Sequence, residues 1–264
     1  MLSEMGYGAL ALTPDVGHLD LYHATEAEIA GVAKLAMDLD MRIVVETGAR
    51  FLMDSRRKHF PTLLETSPFD RERRVDFLKR SCDLAVALGS DMVSIWSGQA
   101  PGELKGADRA EDHWENLCEG LRAVLAHVQG AGISLALEPE PGMFIERPRE
   151  YSELLERMGA EGKELWMTLD VGHLVVTGDL PVEVLISDFA HRIRNVHLDD
   201  CPRGVHQHGP FGSGDLDLDA TLNAFITAGY EGVASVELSR DSHQGAAAAE
   251  QAMCDLQRIL KKHS

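Results

Sequence analysis

An α/β fold, a parallel β/α barrel of the TIM type with seven strands visible and the first one missing, is what the sequence predicts. Three observations predict it. Short apolar runs alternate strictly with helical stretches along the chain, the pattern of a parallel sheet covered by helices. The length of 264 residues is normal for one such domain, and no linker rich in Gly, Ser and Pro divides it, so residues 1–264 read as a single domain. Finally, Glu138, Asp170, His197 and Glu237 each close a separate apolar run, about one strand-plus-helix unit apart.

The elements follow in order. LSEMGYGALAL reads as the tail of a helix entering what would be the second strand of an eight-fold barrel, GALALTPD near residue 8. Thr25 with Glu28 three residues on makes a capping box and opens a helix. MRIVVETG is the next strand, and the polar loop RFLMDSRRKHFPTLLETSPF leads to a helix from about Asp70 to Leu88. DMVSIWSG is a strand, followed by a helix from about Asp108 to His127. ISLALEPE, LWMTLDVG, RIRNVHLDD and GVASVELS complete the strands, with helices near 148–158, 180–190 and 218–228. A last helix, about Gln244 to Lys262, ends in basic residues suited to the negative end of its dipole.

Composition narrows the partners. The 43 acidic against 25 basic residues give a net charge of −18, a field that repels polyanions, so no nucleic-acid partner is expected. No apolar run approaches the roughly 20 residues that span a bilayer, and no membrane partner is expected. The start MLSEMGYGALAL lacks the basic head and cleavage pattern of a secretory signal. Cys82, Cys118, Cys201 and Cys254 are scattered without a CxxC pair, which points to reduced, structural thiols and a cytoplasmic location.

In a parallel barrel the carboxyl ends of the strands share one mouth. Glu138, Asp170, His197 and Glu237 would meet there and could hold one divalent cation. Glu138 follows LAL, which leaves little room for an ordinary surface residue, although a charged strand end is often simply solvated. Glu140 shares its pleat face, but Pro139 disturbs the geometry, so Glu140 reads as a supporting or substrate-facing group. In D-V-G-H, Gly172 eases the turn between Asp170 and His173. That pair either converges on a metal, or on a metal and its substrate, or is a helix-capping Asp with a helical His. His197 ends IRNVH and is followed by Asp199, Asp200 and Arg203. Beyond them, His206 and His208 lie in a loop whose Gly209, Gly212 and Gly214 would let the backbone approach a ligand; the spacing matches no phosphate loop. Glu237 ends VASVE, and a buried carboxylate is costly unless paired or metal-bound. Trp96 either walls a sugar face or belongs to the core. Arg57, Lys58 and His59 either bind an anionic substrate group or form a solvated charge run.

These segments resemble the xylose-isomerase-like barrel superfamily of sugar and sugar-phosphate isomerases and epimerases, which includes the type-IV apurinic endonucleases. The resemblance runs from about residue 5 to 260 and is most specific from Glu138 onward. It implies a ketose 3-epimerase-like site in which Glu138, Asp170, His197 and Glu237 ligate one Mn²⁺, Co²⁺ or similar ion, with His173 and Arg203 on the substrate. Where the endonucleases carry early-strand histidines this chain has Glu46 and Trp96-Ser97, so a trinuclear cluster is not expected. His206 and His208 resemble the endonucleases' Asp-x-His pair and imply a second metal. Hard and borderline donors suit Mn²⁺, Mg²⁺, Co²⁺ or Zn²⁺. Such an ion would polarise a carbonyl while Glu138 and Glu237 remove and return a proton through an enediolate. The expected activity is a metal-dependent isomerase or epimerase acting on a small sugar, keto-sugar or polyol. A lyase or dehydratase using the same intermediate is the alternative. An endonuclease-like phosphodiesterase and a non-catalytic metabolite-binding barrel rank below both. A homo-oligomer is expected by analogy.

Overall fold

The computed structural model describes residues 1–48, 50–101 and 107–263, which group into two compact units, Leu10–Trp166 and Met1–Ala9 with Met167–Ser264. All seven expected strands are present.

The Leu10–Trp166 unit carries β1 (Ala9–Leu12), α1 (Glu26–Asp38), β2 (Arg42–Glu46), α2 (Pro68–Ala87), β3 (Met92–Trp96), α3 (Ala107–Val128), β4 (Ser134–Glu138) and α4 (Pro148–Met158). Strands β2, β3 and β4 pair in parallel, with Trp96 in register with Glu138. Their centres are buried without alternation, as expected for strands covered on both faces. The four residues of β1 are only half-buried, and no residue of α1 is buried. The start of α1 therefore leans on its capping box: Thr25 Oγ1 accepts from Glu28 N at 3.2 Å, and Glu28 Oε2 accepts from Thr25 N at 2.8 Å. Ser67 caps α2 and Pro68 fills its first position, so this helix begins slightly earlier than the sequence suggested. Tyr151, fully buried on α4, donates its hydroxyl to Leu165 O at 2.8 Å.

The other unit carries β5 (Leu165–Asp170), α5 (Val171–Thr177), α6 (Val182–Phe189), β6 (Ile193–Leu198), α7 (Leu218–Thr227), β7 (Val233–Val236) and α8 (Gly245–Leu260). Strand β6 pairs in parallel with both β5 and β7, placing Asp170 beside His197 and Leu198 beside Val236. Helix α5 answers the alternative of a helix-capping Asp170 with a helical His173; it begins directly on the last residue of β5 with no intervening loop. Cys82, Cys118 and Cys201 are buried, Cys254 is exposed, and all four are free thiols. Among the described residues no helix is long and apolar enough to cross a membrane.

Candidate metal centre

Strand register sets the first group of donors. Asp170 and His197 end neighbouring strands in register, and Glu237 follows the last residue of β7, its N–H donating to Leu198 O at 3.0 Å. His197 Nδ1 stands 3.1 Å from Glu237 Oε2 and 4.0 Å from Asp170 Oδ2. Burial pushes the Glu237 carboxyl up, but the hydrogen bond from His197 and the charges of His197, His208 and His173 outweigh it and hold the group at about 2. Glu237 is therefore an anion throughout the neutral range. On the far side of the ring, Asn195 Nδ2 lies 3.3 Å from His197 Nε2 and 3.4 Å from Thr168 Oγ1. A cation at Nδ1 would leave the proton on Nε2, and the Asn195 amide can turn its oxygen there to accept it.

Asp170 serves two readings at once. Its Oδ1 accepts from His173 N at 2.8 Å and so caps α5, while its Oδ2 lies 3.7 Å from His173 Nε2 and 3.9 Å from His208 Nδ1. The helix-capping and metal-facing alternatives for D-V-G-H are thus compatible, one oxygen each.

A second group lies beside the first. His173 Nε2 is 3.1 Å from His206 Nε2, which is 2.8 Å from His208 Nε2. Three imidazoles that point the same nitrogen at one spot suit a borderline cation, since tetrahedral nitrogens at ~2.0 Å from zinc stand ~3.3 Å apart. Burial, then the neighbouring charge of His208, holds His206 down at about 4, so it is neutral with a lone pair free at neutral pH. His208 Nδ1 rests 2.8 Å from Asp199 Oδ2, the carboxylate–imidazole arrangement that orients metal-bound histidines. Asp170, Asp199 and His208 also converge closely enough to share an ion. Both groups therefore fit divalent metal.

The loop that presents His206 and His208 is folded by Asp200. Its carboxylate accepts from Gly212 N at 2.8 Å, Gly214 N at 2.9 Å and Leu216 N at 3.0 Å. This corrects the reading of Gly209 and Gly214, though not of Gly212, beside which the space is open. A side chain at Gly214 would meet Asp200 Oδ1 at 2.4 Å and one at Gly209 would meet Ser213 Oγ at 2.5 Å, so the loop's own groups, not a ligand, fill that space. Gly172 is corrected likewise: its backbone is not in the left-handed region, and its missing Cβ makes room for Asp199.

The remaining expected residues are distributed as follows. Glu138, 2% exposed, ends β4 and accepts from Trp96 Nε1 at 2.8 Å, so Trp96 binds a site carboxylate rather than serving only as core. Glu140 is half-buried in the turn after β4, its N–H on Ile145 O at 3.0 Å. The side chain of Arg203 is exposed and makes no hydrogen bond or ion pair with the histidine cluster; only its backbone N–H is held, by Asp215 Oδ2 at 2.9 Å. The sequence reading noted Asp199 beside His197 but gave it no role; it is 0% exposed. Its signal was the doubled acid in H-L-D-D, directly after β6.

Comparison with known proteins gives one family. The profile of the xylose isomerase-like TIM barrel family matches residues 1–262. Inosose dehydratase of Clostridium perfringens is 27% identical to this chain, with 90% of each covered. A solved D-tagatose 3-epimerase-like protein superposes with a TM-score of 0.77 at 18% identity, covering 98% of this chain and 90% of its own. An L-ribulose 3-epimerase superposes at 0.76 and 19% identity, covering 98% and 86%. These likenesses show a TIM-barrel fold.

Proposed function

Because this chain belongs to the xylose isomerase-like TIM barrel family, we propose that it is a divalent-metal-dependent isomerase or epimerase of a small sugar, keto-sugar or polyol. The convergence of Asp170, His197 and Glu237 carries this reading. Glu138 is the fourth ligand in the proposal, supported by the family match, its burial at a strand end and the indole N–H that orients it. His173, His206 and His208 hold a second ion of borderline type. Arg203, exposed at the loop after β6, and Glu140, in the turn after β4, are proposed to contact substrate hydroxyls.

When bound, the dication supplies Lewis-acid polarisation of the substrate carbonyl and neutralises charge developing on its oxygen. The chain's own groups move the proton. One of Glu138 and Glu237 takes a proton from the carbon beside the carbonyl, and the other returns one to the opposite face or the adjacent carbon. Return to the other face gives an epimer; return to the other carbon gives the aldose–ketose isomer. Acid–base help of this kind contributes ~10²–10⁴-fold. A second reading, favoured by the likeness to an inosose dehydratase, has the same intermediate expel a β-hydroxyl as water. A cytoplasmic, homo-oligomeric enzyme is part of the proposal.

The test is metal content of the purified protein and of Glu237→Gln, followed by incubation with ketoses and keto-polyols in D₂O. Bound metal that falls in the variant, with deuterium entering beside the carbonyl and an isomeric product, supports the isomerase reading. Exchange with a dehydrated product moves the assignment to the dehydratase. A protein that binds no metal in either form overturns both.

A further inference from the structure

The second donor group depends on a loop that does not hold its own shape. His206 and His208 are two residues apart, yet their Nε2 atoms come within 2.8 Å of one another, and His173 Nε2 stands 3.1 Å from that of His206. His208 reaches this position at φ 48°, in the left-handed region that favours glycine. The turn that aims both imidazoles at one point therefore carries backbone strain, and it persists because its surroundings hold it.

The flanks of the loop have anchors of their own. Gly204 N–H donates to Val176 O at 3.2 Å, and Gly209 and Asp200 exchange backbone hydrogen bonds of 2.8 and 3.0 Å. The Asp200 carboxylate takes the amides of Gly212, Gly214 and Leu216. Between those anchors, the N–H groups of Gln207 and His208 hydrogen-bond the buried Cys201 sulfur. The carbonyls of the same stretch are held by one side chain. Arg240 Nε donates to Gln207 O at 3.1 Å, and Arg240 Nη2 donates to His206 O at 3.3 Å. Among the described residues this guanidinium makes no other hydrogen bond and no ion pair. It is mounted three residues beyond Glu237, in a turn closed by Asp241 N–H on Leu238 O at 2.9 Å. All of these groups belong to the unit that carries β5, β6 and β7.

We propose that Arg240 is a positioning residue for the second ion. Its fork ties the backbone of His206 and Gln207 to the turn after Glu237, and so fixes the histidine group relative to the carboxylate of the first group. This rests on the reading of His173, His206 and His208 as ligands. A guanidinium suits the task because Nε–H and one Nη–H project from the same edge and meet two carbonyls at once. Lysine would keep the charge but offers a single point on a flexible stem.

The experiment is a Co²⁺ titration of the metal-stripped full chain, followed by the visible absorption of the bound ion and by elemental analysis after desalting. Wild type should take up two ions. In Arg240→Gln the first ion should bind as in wild type and the second about 10–100-fold more weakly, the usual effect of losing a group that orients a metal ligand. The visible spectrum should change for the second ion alone. Arg240→Lys should stay closer to Arg240→Gln than to wild type, because the fork is lost while the charge remains. Lys261→Gln, which removes an exposed charge elsewhere in the same unit, should titrate like wild type. Should Arg240→Gln fail to fold, Arg240→Lys carries the comparison. Two ions in wild type with an unchanged second ion in the variant overturn this inference and leave the second-ion reading standing. Equal weakening of both ions, or full recovery by lysine, overturns it too. A wild type that takes up one ion refutes the second-ion reading itself, and the role of Arg240 with it.

Discussion

Replacing Gly172 by alanine should disable the second donor group while leaving every ligand in the sequence. A Cβ at this position would sit 1.9 Å from Asp199 Oδ1 and 2.6 Å from its Cγ. Ordinary contact begins at 3.4 Å, so the carboxylate must retreat by about 1.5 Å, the difference of those two distances. Asp199 is fully buried and lies 2.8 Å from His208 Nδ1, a contact that does not survive such a move. Overpacking costs about 1–3 kcal/mol, and leaving the buried carboxylate without its imidazole partner about 1–3 more. A combined loss of about 2–6 kcal/mol corresponds to a drop of roughly 4–24 °C in Tm for a chain of this size. Removal of the carboxylate that orients a ligating histidine typically weakens metal binding about 10–100-fold. Circular dichroism melts and metal content after dialysis read both effects. Gly31→Ala is the control, because nothing lies within 4 Å of a Cβ there and α1 should gain about 0.5–1 kcal/mol. If Gly172→Ala melts within 2–3 °C of wild type, an interval of about 1 kcal/mol, and keeps its metal, the argument from Asp199 is wrong.

Three further outcomes are expected. Trp96→Phe keeps the ring but removes the N–H that Glu138 accepts; it should cost about 1.5–3 kcal/mol in urea unfolding and lower metal affinity. Thr25→Ala removes one half of the capping box on a helix with no buried residue, so α1 amides should exchange faster, with about 1 kcal/mol lost locally. His59 has a folded pKa of about 4, below the ordinary ~6.5, so the unfolded chain takes up the proton first as pH falls. Its contribution is complete above pH ~6.5 and is lost towards pH 4; discounted for partial exposure it is worth about 1–2 kcal/mol. His59→Asn, which tolerates the positive φ, should lose that much less stability than wild type between pH 7 and 4.5; equal losses would remove His59 from the account.

The strands were legible because RIVVE, MVSIW and SLALE are largely apolar on both faces, and each candidate acid or histidine punctuates the end of such a run. Helix α5 was legible only as an alternative to a metal-facing Asp170. Its seven residues follow Asp170 without a breaker, and the residue that would announce a helix start was already accounted for as a ligand. Gly172, Gly209 and Gly214 misled for a related reason: a sequence shows that a side chain is missing, not what occupies the space, which here is Asp199, Ser213 or Asp200. Arg74 was invisible within R-E-R-R, where a helical run of charges reads as solvated and only packing reveals which arginine is buried.

The division of labour within Asp170 bears on how it would meet an ion. With Oδ1 accepting from the amide of His173, Oδ2 is the oxygen that faces His173 and His208 and would be the one offered. Asp170 would then occupy one position on an ion rather than two, which would leave room for a substrate's adjacent oxygens. Any variant that frees Oδ1 by unwinding the first turn of α5 would let Asp170 close over the ion, tightening the metal while shutting the substrate out.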